Sequence, residues 1–246
     1  GGMTPKCSEV TAALYQSFVE GECIITSART AEMAKLTENS FRDVNIAFAN
    51  ELSVICAELE IDVWDLIRLA NRHPRVNILK PGPGVGGHCI AVDPWFIVSQ
   101  TPELARLIKT ARLVNDSKPD WVLDQVRAAI GKHLQQAEGK TARDVSVVCY
   151  GLAFKADIDD LRESPALNIV EKLAGEHPGP IRIVEPHIES LPPSLEDRKL
   201  KLVPFEEAQG DVHLLLVDHR AFRTGEVPDG LTVDTRGFWK ARKDKE

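Results

Sequence analysis

Val145-Ser146-Val147-Val148-Cys149, closed by a turn at Gly151, is the stretch on which the fold turns. It is a short apolar run bounded by a breaker, and it reads as a strand. Working downstream, helical spacing runs from about Ser164 to Gly175. Short apolar runs then recur at residues 181–184, 213–217 and 231–233. Strands alternating with helices are the mark of parallel βαβ units, so this half reads as an α/β domain with a doubly wound parallel sheet.

Working upstream, the period changes. Residues 29–59 contain no Pro and no Gly, and Leu36, Val44, Phe48, Leu52, Ile55 and Leu59 recur at helical spacing, which predicts one long helix. A second helix is expected over residues 63–70. Between residues 71 and 94, four prolines and four glycines break the pattern and predict a shaped loop. Helical spacing resumes at Glu103 through Leu104, Leu107, Ile108, Ala111, Leu113 and Val114. Ser117 and Pro119 resemble a cap and an early helix position, predicting a further helix over residues 119–135. A polar stretch at residues 136–144 follows. The expected organisation is a leading segment (1–28), a helical domain (29–137) and an α/β domain (141–246) with a charged, frayed end at residues 240–246.

The bulk numbers exclude several classes. The 246 residues are 43% hydrophobic and 27% charged, an ordinary globular composition. A net charge of −7 argues against a nucleic-acid partner, which needs clustered cations, but leaves room for a small anion. No stretch approaches the length of a membrane span, and no signal peptide opens the chain. Five scattered cysteines, with no Cys-x-x-Cys pair and no zinc spacing, predict a reducing compartment, by default the cytoplasm, and no metal.

The densest chemical signal is Lys80-Pro-Gly-Pro-Gly-Val-Gly-Gly-His-Cys-Ile-Ala-Val-Asp93-Pro94. Its glycines let backbone N–H groups approach a ligand closely. It is no dinucleotide fingerprint, because it follows helix and loop rather than a strand. Glycine content alone leaves open a surface turn without a ligand. Cys89 stands at the end of the glycine run, where its thiol can face a ligand, with Asp93 one helical turn on. A thiolate there needs a nearby cation. On the long helix, Lys35, Asn39 and Arg42 share a face. That face is either a solvated stripe or an anion-binding surface opposite the Cys89 loop; spacing does not decide.

Read together, these residues resemble the UDP-glucose/GDP-mannose dehydrogenase family. The likeness rests on Ala34-Lys35-Leu-Thr-Glu-Asn39, on Gly84-Val-Gly-Gly-His-Cys89-Ile-Ala-Val-Asp93, and on Gly151-Leu-Ala-Phe-Lys155 continuing to Asp159-Asp-Leu-Arg162-Glu-Ser. A finer likeness, to the bacterial branch acting on UDP-N-acetyl-D-mannosamine, runs through Asn45-Ile-Ala-Phe-Ala-Asn-Glu51, Asn71-Arg-His-Pro-Arg-Val-Asn77 and Ala91-Val-Asp-Pro-Trp-Phe96.

The resemblance implies a helical dimerisation domain followed by a Rossmann-like domain that binds the UDP portion. It implies a homodimer, and an NAD-binding domain ahead of residues 1–28 that this chain lacks. The implied reaction is the four-electron oxidation of a sugar primary alcohol to a carboxylate with NAD. Cys89 would form a thiohemiacetal and then a thioester. Lys35 would stabilise the oxyanion, and Asn39 and Asp93 would position or activate water, unless Asp93 only caps its turn. Arg42, His73, Arg75 and the backbone of Gly84, Gly86 and Gly87 would bind the sugar nucleotide, with His73 and Arg75 acting across the dimer. Phe154, Lys155 and Arg236 would bind substrate, and Arg162 would reach NAD. A surface role for Lys155 is the plain alternative.

Three rival functions stand beside this one. A thiol hydrolase built on Cys89 and His88 suffers because adjacent side chains point apart. A two-electron hydroxy-acid dehydrogenase has no need of the cysteine. A non-catalytic module that binds a UDP-sugar and dimerises would use the same binding residues.

Overall fold

The computed structural model describes residues 1–196, 200–223 and 228–239; the expectation for residues 240–246 lies outside them. Residues 1–28, expected as a leading linker, contain helix α1 (Pro5–Gln16), opened by the Thr4 side chain accepting from the Cys7 N–H. Helix α2 (Ala28–Glu58) begins where Ser27 accepts from the Thr30 N–H, and it matches the long helix read from spacing. Helix α3 (Val63–Ala70) starts at Asp62, whose carboxylate accepts from Trp64 and Asp65 N–H. A helix not foreseen, α4 (Asp93–Gln100), carries Pro94 in its first turn, where the missing N–H has no partner to lose.

Helix α5 (Arg106–Gln136) corrects the expectation of a break before Pro119. One 31-residue helix runs through that proline. Pro119 gives no N–H to the Asn115 carbonyl, and a proline inside a helix costs roughly 3 kcal/mol. The next turns place Val122, Leu123, Val126 and Ile130 in the core of the sheet. At about 1.5–3 kcal/mol for each fully buried aliphatic side chain, that stripe outweighs the proline. The N-terminal part of α5 packs on α2 and α4, so one rod joins the helical layer to the sheet.

The sheet holds β1 (Val147–Tyr150), β2 (Ile181–Val184), β3 (Lys201–Leu202), β4 (Val212–Leu215) and β5 (Leu231–Asp234). All pairs are parallel, in the order β3-β2-β1-β4-β5. The four strands expected from sequence fall within two residues of their observed ends; the two-residue edge strand β3 was not foreseen. Helix α6 (Pro165–Glu176) is capped by Ser164, and a short α7 (Pro193–Glu196) precedes β3. Burial on every residue of β1 and β4 explains their largely apolar make-up; His213, the exception in β4, is bonded to Tyr150 Oη and the Gly210 carbonyl. The chain order reverses between β1 and β4, the position outside the carboxyl ends where open α/β sheets bind ligands.

The periodicity of α2 is real, but part of its apolar stripe faces away from this chain: Phe48, Ile55 and Leu59 are exposed, while Asn39, Ser40, Asp43, Asn50 and Ser53 are buried beside Ala47, Ala49 and Cys56. The face turned toward the rest of this chain is largely polar. What that face supports is the Cys89 loop.

Candidate functional site

The glycine loop lies on the carboxyl ends of the strands. At Gly86 an added Cβ would sit 2.3 Å from the Glu163 carbonyl oxygen and 2.6 Å from Pro165 Cδ. At Gly87, which has φ +85°, it would meet the Phe154 ring at 2.9 Å. Only glycine permits that approach. On the other flank, Gly82 abuts the Arg236 guanidinium, 2.6 Å from Nη1 to an added Cβ. Phe154 follows β1 and Arg236 follows β5, so the loop meets both sides of the switch point. The motif residues Gly84, Gly86, Gly87, Phe154 and Arg236, separated by up to 152 positions in sequence, thus form one surface.

Cys89 is exposed at the end of this loop. Its carbonyl accepts from the Val92 and Asp93 N–H groups, so the segment turns directly into α4 and sets Asp93 one turn beyond the thiol. Asn39 Nδ2 donates to Asp93 Oδ2 at 2.5 Å, tying α2 to α4. The structure therefore joins Asn39 to Asp93 beside the Cys89 turn. Lys35 lies one turn before Asn39 on α2, exposed, with Nζ 3.1 Å from Glu38. Arg42 continues the same stripe and is exposed. The solvated reading holds for the ends of that stripe and fails at its centre, where Asn39 is buried.

Other expected residues lie apart. His73 and Arg75 are exposed in the loop after α3, linked only locally by the Arg75 N–H donating to His73 Nδ1. No bond from either side chain to residues 84–93 appears among the described residues. Lys155 is exposed beside Phe154. Arg162 is folded onto Asp160, donating from Nε and Nη2 at 2.9 and 2.7 Å. That fork holds the Asp160 carboxyl at about 2, helped by the Arg162 backbone N–H and, more weakly, by the charge of His88. Arg236 Nε donates to Asp218 Oδ1 at 2.8 Å, which leaves its outer guanidinium edge toward the loop.

Two supporting networks carried no sequence signal. Glu185, at the end of β2, accepts from the Leu152 and Ala153 N–H groups and from the His187 N–H, fixing the turn that presents Phe154 and Lys155. Burial pushes its carboxyl up, but the His219 bond and these N–H donors outweigh that and hold it below the usual range. The second network fills the polar face of α2: Arg112, Asp43, Asn115 and Asn50 reach the Gly82 N–H, with Ser53 and Lys118 alongside. Burial raises the Asp43 carboxyl despite Arg112 beside it. Glutamates, asparagines and arginines are ordinary surface residues by type, so only tertiary placement reveals these roles.

Among the described residues one group has metal-ligand chemistry: Asp157, His187 and His219, with donor atoms within 4.8 Å of one another. Two of the three are already committed. His219 accepts from the Asp157 N–H at Nδ1 and faces Glu185 at Nε2, and Asp157 is paired with Arg220. The group reads as a hydrogen-bonded junction of the strand ends.

Comparison with known proteins gives the same outline. The central-domain model of the UDP-glucose/GDP-mannose dehydrogenase family matches residues 29–117, and the UDP-binding-domain model of that family matches residues 148–241. A UDP-N-acetyl-D-mannosamine dehydrogenase from Yersinia pestis is 60% identical across 98% of this chain. An NDP-N-acetyl-D-galactosaminuronic acid dehydrogenase from Ralstonia nicotianae is 56% identical across 99%. The chain spans 58% and 56% of the length of these two relatives. Among solved structures, a UDP-D-ManNAc dehydrogenase from Pyrococcus horikoshii superposes with a TM-score of 0.81 at 33% identity, covering 97% of this chain and 55% of that one. The UDP-N-acetyl-mannosamine dehydrogenase from Staphylococcus aureus gives 0.77 at 40% identity, covering 98% and 59%.

Proposed function

The chain belongs to the UDP-glucose/GDP-mannose dehydrogenase family, and from that premise we propose that it carries the nucleotide-sugar site and the nucleophile for oxidising UDP-N-acetyl-D-mannosamine to its uronate. The names of the relatives favour that sugar over another UDP-hexose. The observation that supports the reading is the packing of Gly82 against Arg236 and of Gly86 and Gly87 against Phe154, in the loop that runs on to Cys89. Backbone N–H groups of that loop, Arg236 and Lys155 suit a diphosphate.

In the proposed reaction the sugar CH2OH loses a hydride and a proton to become an aldehyde. The Cys89 thiolate adds to the aldehyde carbon to give a thiohemiacetal alkoxide, and as a second hydride leaves that carbon the C=O re-forms, giving a thioester. Water attacks that carbonyl, the C–S bond breaks, and the thiolate returns with a carboxylate released. Lys35 serves the oxyanion from its turn of α2, and the Asn39–Asp93 pair holds the attacking water. The two hydrides would go to two NAD+ molecules, one each, bound in succession. Of the described residues only Arg162 is a candidate to touch the cofactor, and its fork is occupied by Asp160. Arg42, His73 and Arg75 complete the substrate shell in this proposal, the last two on a neighbouring copy. A homodimer places them there, with residues 29–137 as its helical unit and residues 141–246 as the nucleotide-binding unit. None of the described helices is long and apolar enough to cross a membrane, and the scattered thiols fit a reducing cytoplasm.

Titration calorimetry of this chain with UDP and with NAD+, alongside a reduced-nicotinamide absorbance assay, tests the reading. UDP is expected to bind, and NAD+ turnover is expected to be absent from the isolated chain. No UDP binding at millimolar concentration, about the −4 kcal/mol level, would overturn the site. Turnover by the chain alone would overturn the placement of NAD outside it.

A further inference from the structure

Asn50 is fully buried on the polar face of α2. Three bonds converge on it. Its Oδ1 accepts from the Gly82 N–H at 2.8 Å, and its Nδ2 donates to Asn115 Oδ1 at 2.9 Å. Its backbone carbonyl accepts from Ser53 Oγ at 2.6 Å, and Ser53 Oγ in turn accepts from Lys118 Nζ at 2.7 Å.

The amide orientation is not free. Asn115 Nδ2 donates to Asp43 Oδ1 at 2.8 Å, and that same oxygen accepts from Arg112 Nη1 at 2.6 Å. A carboxylate is acceptor-only, so Asn115 must present its nitrogen to Asp43 and its oxygen to Asn50. Asn50 must then present its nitrogen to Asn115 and its oxygen to Gly82. The chain of donors has one direction, set by the charge of the Arg112–Asp43 pair and ending on a loop N–H. Bonds aligned in this way polarise one another in a medium without water.

The end of the chain is at a sensitive place. Gly82 lies between Asn50 and the Arg236 guanidinium, and Pro81 and Gly82 begin the run that leads through the docked glycines to Cys89. Nothing else bonded to Gly82 N appears among the described residues. We infer that Asn50 is a positioning residue: it sets where residues 82–89 sit between the helical layer and Arg236, and so sets the reach from the diphosphate-binding cation to the Cys89 thiol. This rests on the functional reading only for what the loop does, not for how it is held.

The test uses this chain as wild type, Asn50→Asp and Asn50→Ala, each under conditions where circular dichroism shows it fully folded. Amide hydrogen exchange is read residue by residue, with Cys89 alkylation by iodoacetamide and UDP affinity measured alongside. Asn50→Asp keeps an oxygen toward Gly82 and is expected to hold Gly82 exchange within about threefold of wild type, even though a second buried carboxylate lowers its melting temperature. Asn50→Ala is expected to speed Gly82 exchange by about tenfold, the factor set by one lost buried hydrogen bond. It is also expected to change the Cys89 alkylation rate by a similar factor, with amides in the centres of α2 and α5 unchanged. A purely structural role gives the opposite pattern, with faster exchange throughout α2 and α5 and a ranking by stability, and would overturn the inference. So would an unchanged Gly82. Should Asn50→Ala fail to fold, Asn115→Ala leaves the Asn50 amide without a fixed orientation and is expected to show the same regional loss. If wild type does not bind UDP, the functional reading falls while the Gly82 result still decides the positioning.

Discussion

Lys118→Met should make the protein more stable at neutral pH, although it deletes a hydrogen bond. Lys118 is only 3% exposed. Its Nζ donates to Ser53 Oγ and lies 3.4 Å from the centroid of the Trp121 ring. Burial lowers its pKa from 10.5 to about 7. At about 1.4 kcal/mol per pKa unit, holding the charge inside costs up to about 4 kcal/mol at pH 7. The Trp121 face returns roughly 1–2 kcal/mol of that, and methionine fills nearly the same volume, so a net gain of about 2 kcal/mol is expected. The sign with pH follows. Between about 7 and 10.5 the unfolded chain holds this proton and the folded chain does not, so wild-type stability rises with pH there. Above pH 9 the buried Cys149 thiol, pushed up to about 12, and the raised Tyr150 phenol act in the other direction. The clean window is therefore pH 7 to 9, where the wild type should gain about 2 kcal/mol and the Met variant should not. Urea unfolding followed by tryptophan emission measures both. A Met variant less stable than wild type at pH 7, with the slope retained, would show that this buried ammonium is not a net cost.

Two further outcomes concern the site directly. Gly86→Ala puts a Cβ 2.3 Å from the Glu163 carbonyl, so the loop must lift from the strand ends. UDP affinity should fall by at least about tenfold, a loss near 1.4 kcal/mol, with helical content unchanged, and calorimetry finding wild-type affinity would show that the loop is not seated there in solution. Cys89→Ala should leave UDP affinity within about threefold, because the thiol bonds to the sugar only after the first hydride leaves. In a whole enzyme containing this chain the same change should abolish acid formation, and near-normal uronate production would refute the thioester route.

How far the sequence could be read varies from element to element. The strand ends fell within two residues because β1 and β4 are buried on every residue and so are mostly apolar, with His213 the polar exception in β4. The loop motif correctly brought distant residues to one question, since Gly86 and Gly87 are there to let Phe154 approach. Pro119 misled because its local chemistry is that of a helix start, and only the stripe beyond it, packed on the sheet, forces the helix through. Pro94 misled in the other direction, for it opens α4 rather than closing a loop. Asn50, Asp43, Arg112 and Lys118 were invisible because their partners lie more than 60 positions away or on a loop with no polar side chain to notice.

The exposed apolar face of α2 leads to the last prediction. Periodicity measures that a helix has an apolar side; it does not say whether that side meets its own chain or another. Here Phe41, Phe48, Ile55 and Leu59 are 71%, 54%, 43% and 60% exposed, spaced at seven, seven and four residues along one stripe. Leu104, just before α5, and Leu107 and Leu113 in its N-terminal part are also exposed. A stripe of this kind is larger than isolated surface residues and marks an interaction surface. The buried side cannot trade places with it, since Asp43 and Asn50 are locked to Arg112, Asn115 and the Cys89 loop. A second copy is the occupant proposed here, because a twofold interface would pair the same stripe with itself. In such an interface every substitution counts twice, so Phe48→Asp would place two carboxylates in the contact. Sedimentation at tens of micromolar, as an order-of-magnitude working range, should find the wild type dimeric and Phe48→Asp monomeric, with helical content unchanged. A monomeric wild type would refute the homodimer and leave the stripe facing something else; a dimeric Phe48→Asp would move the interface off α2.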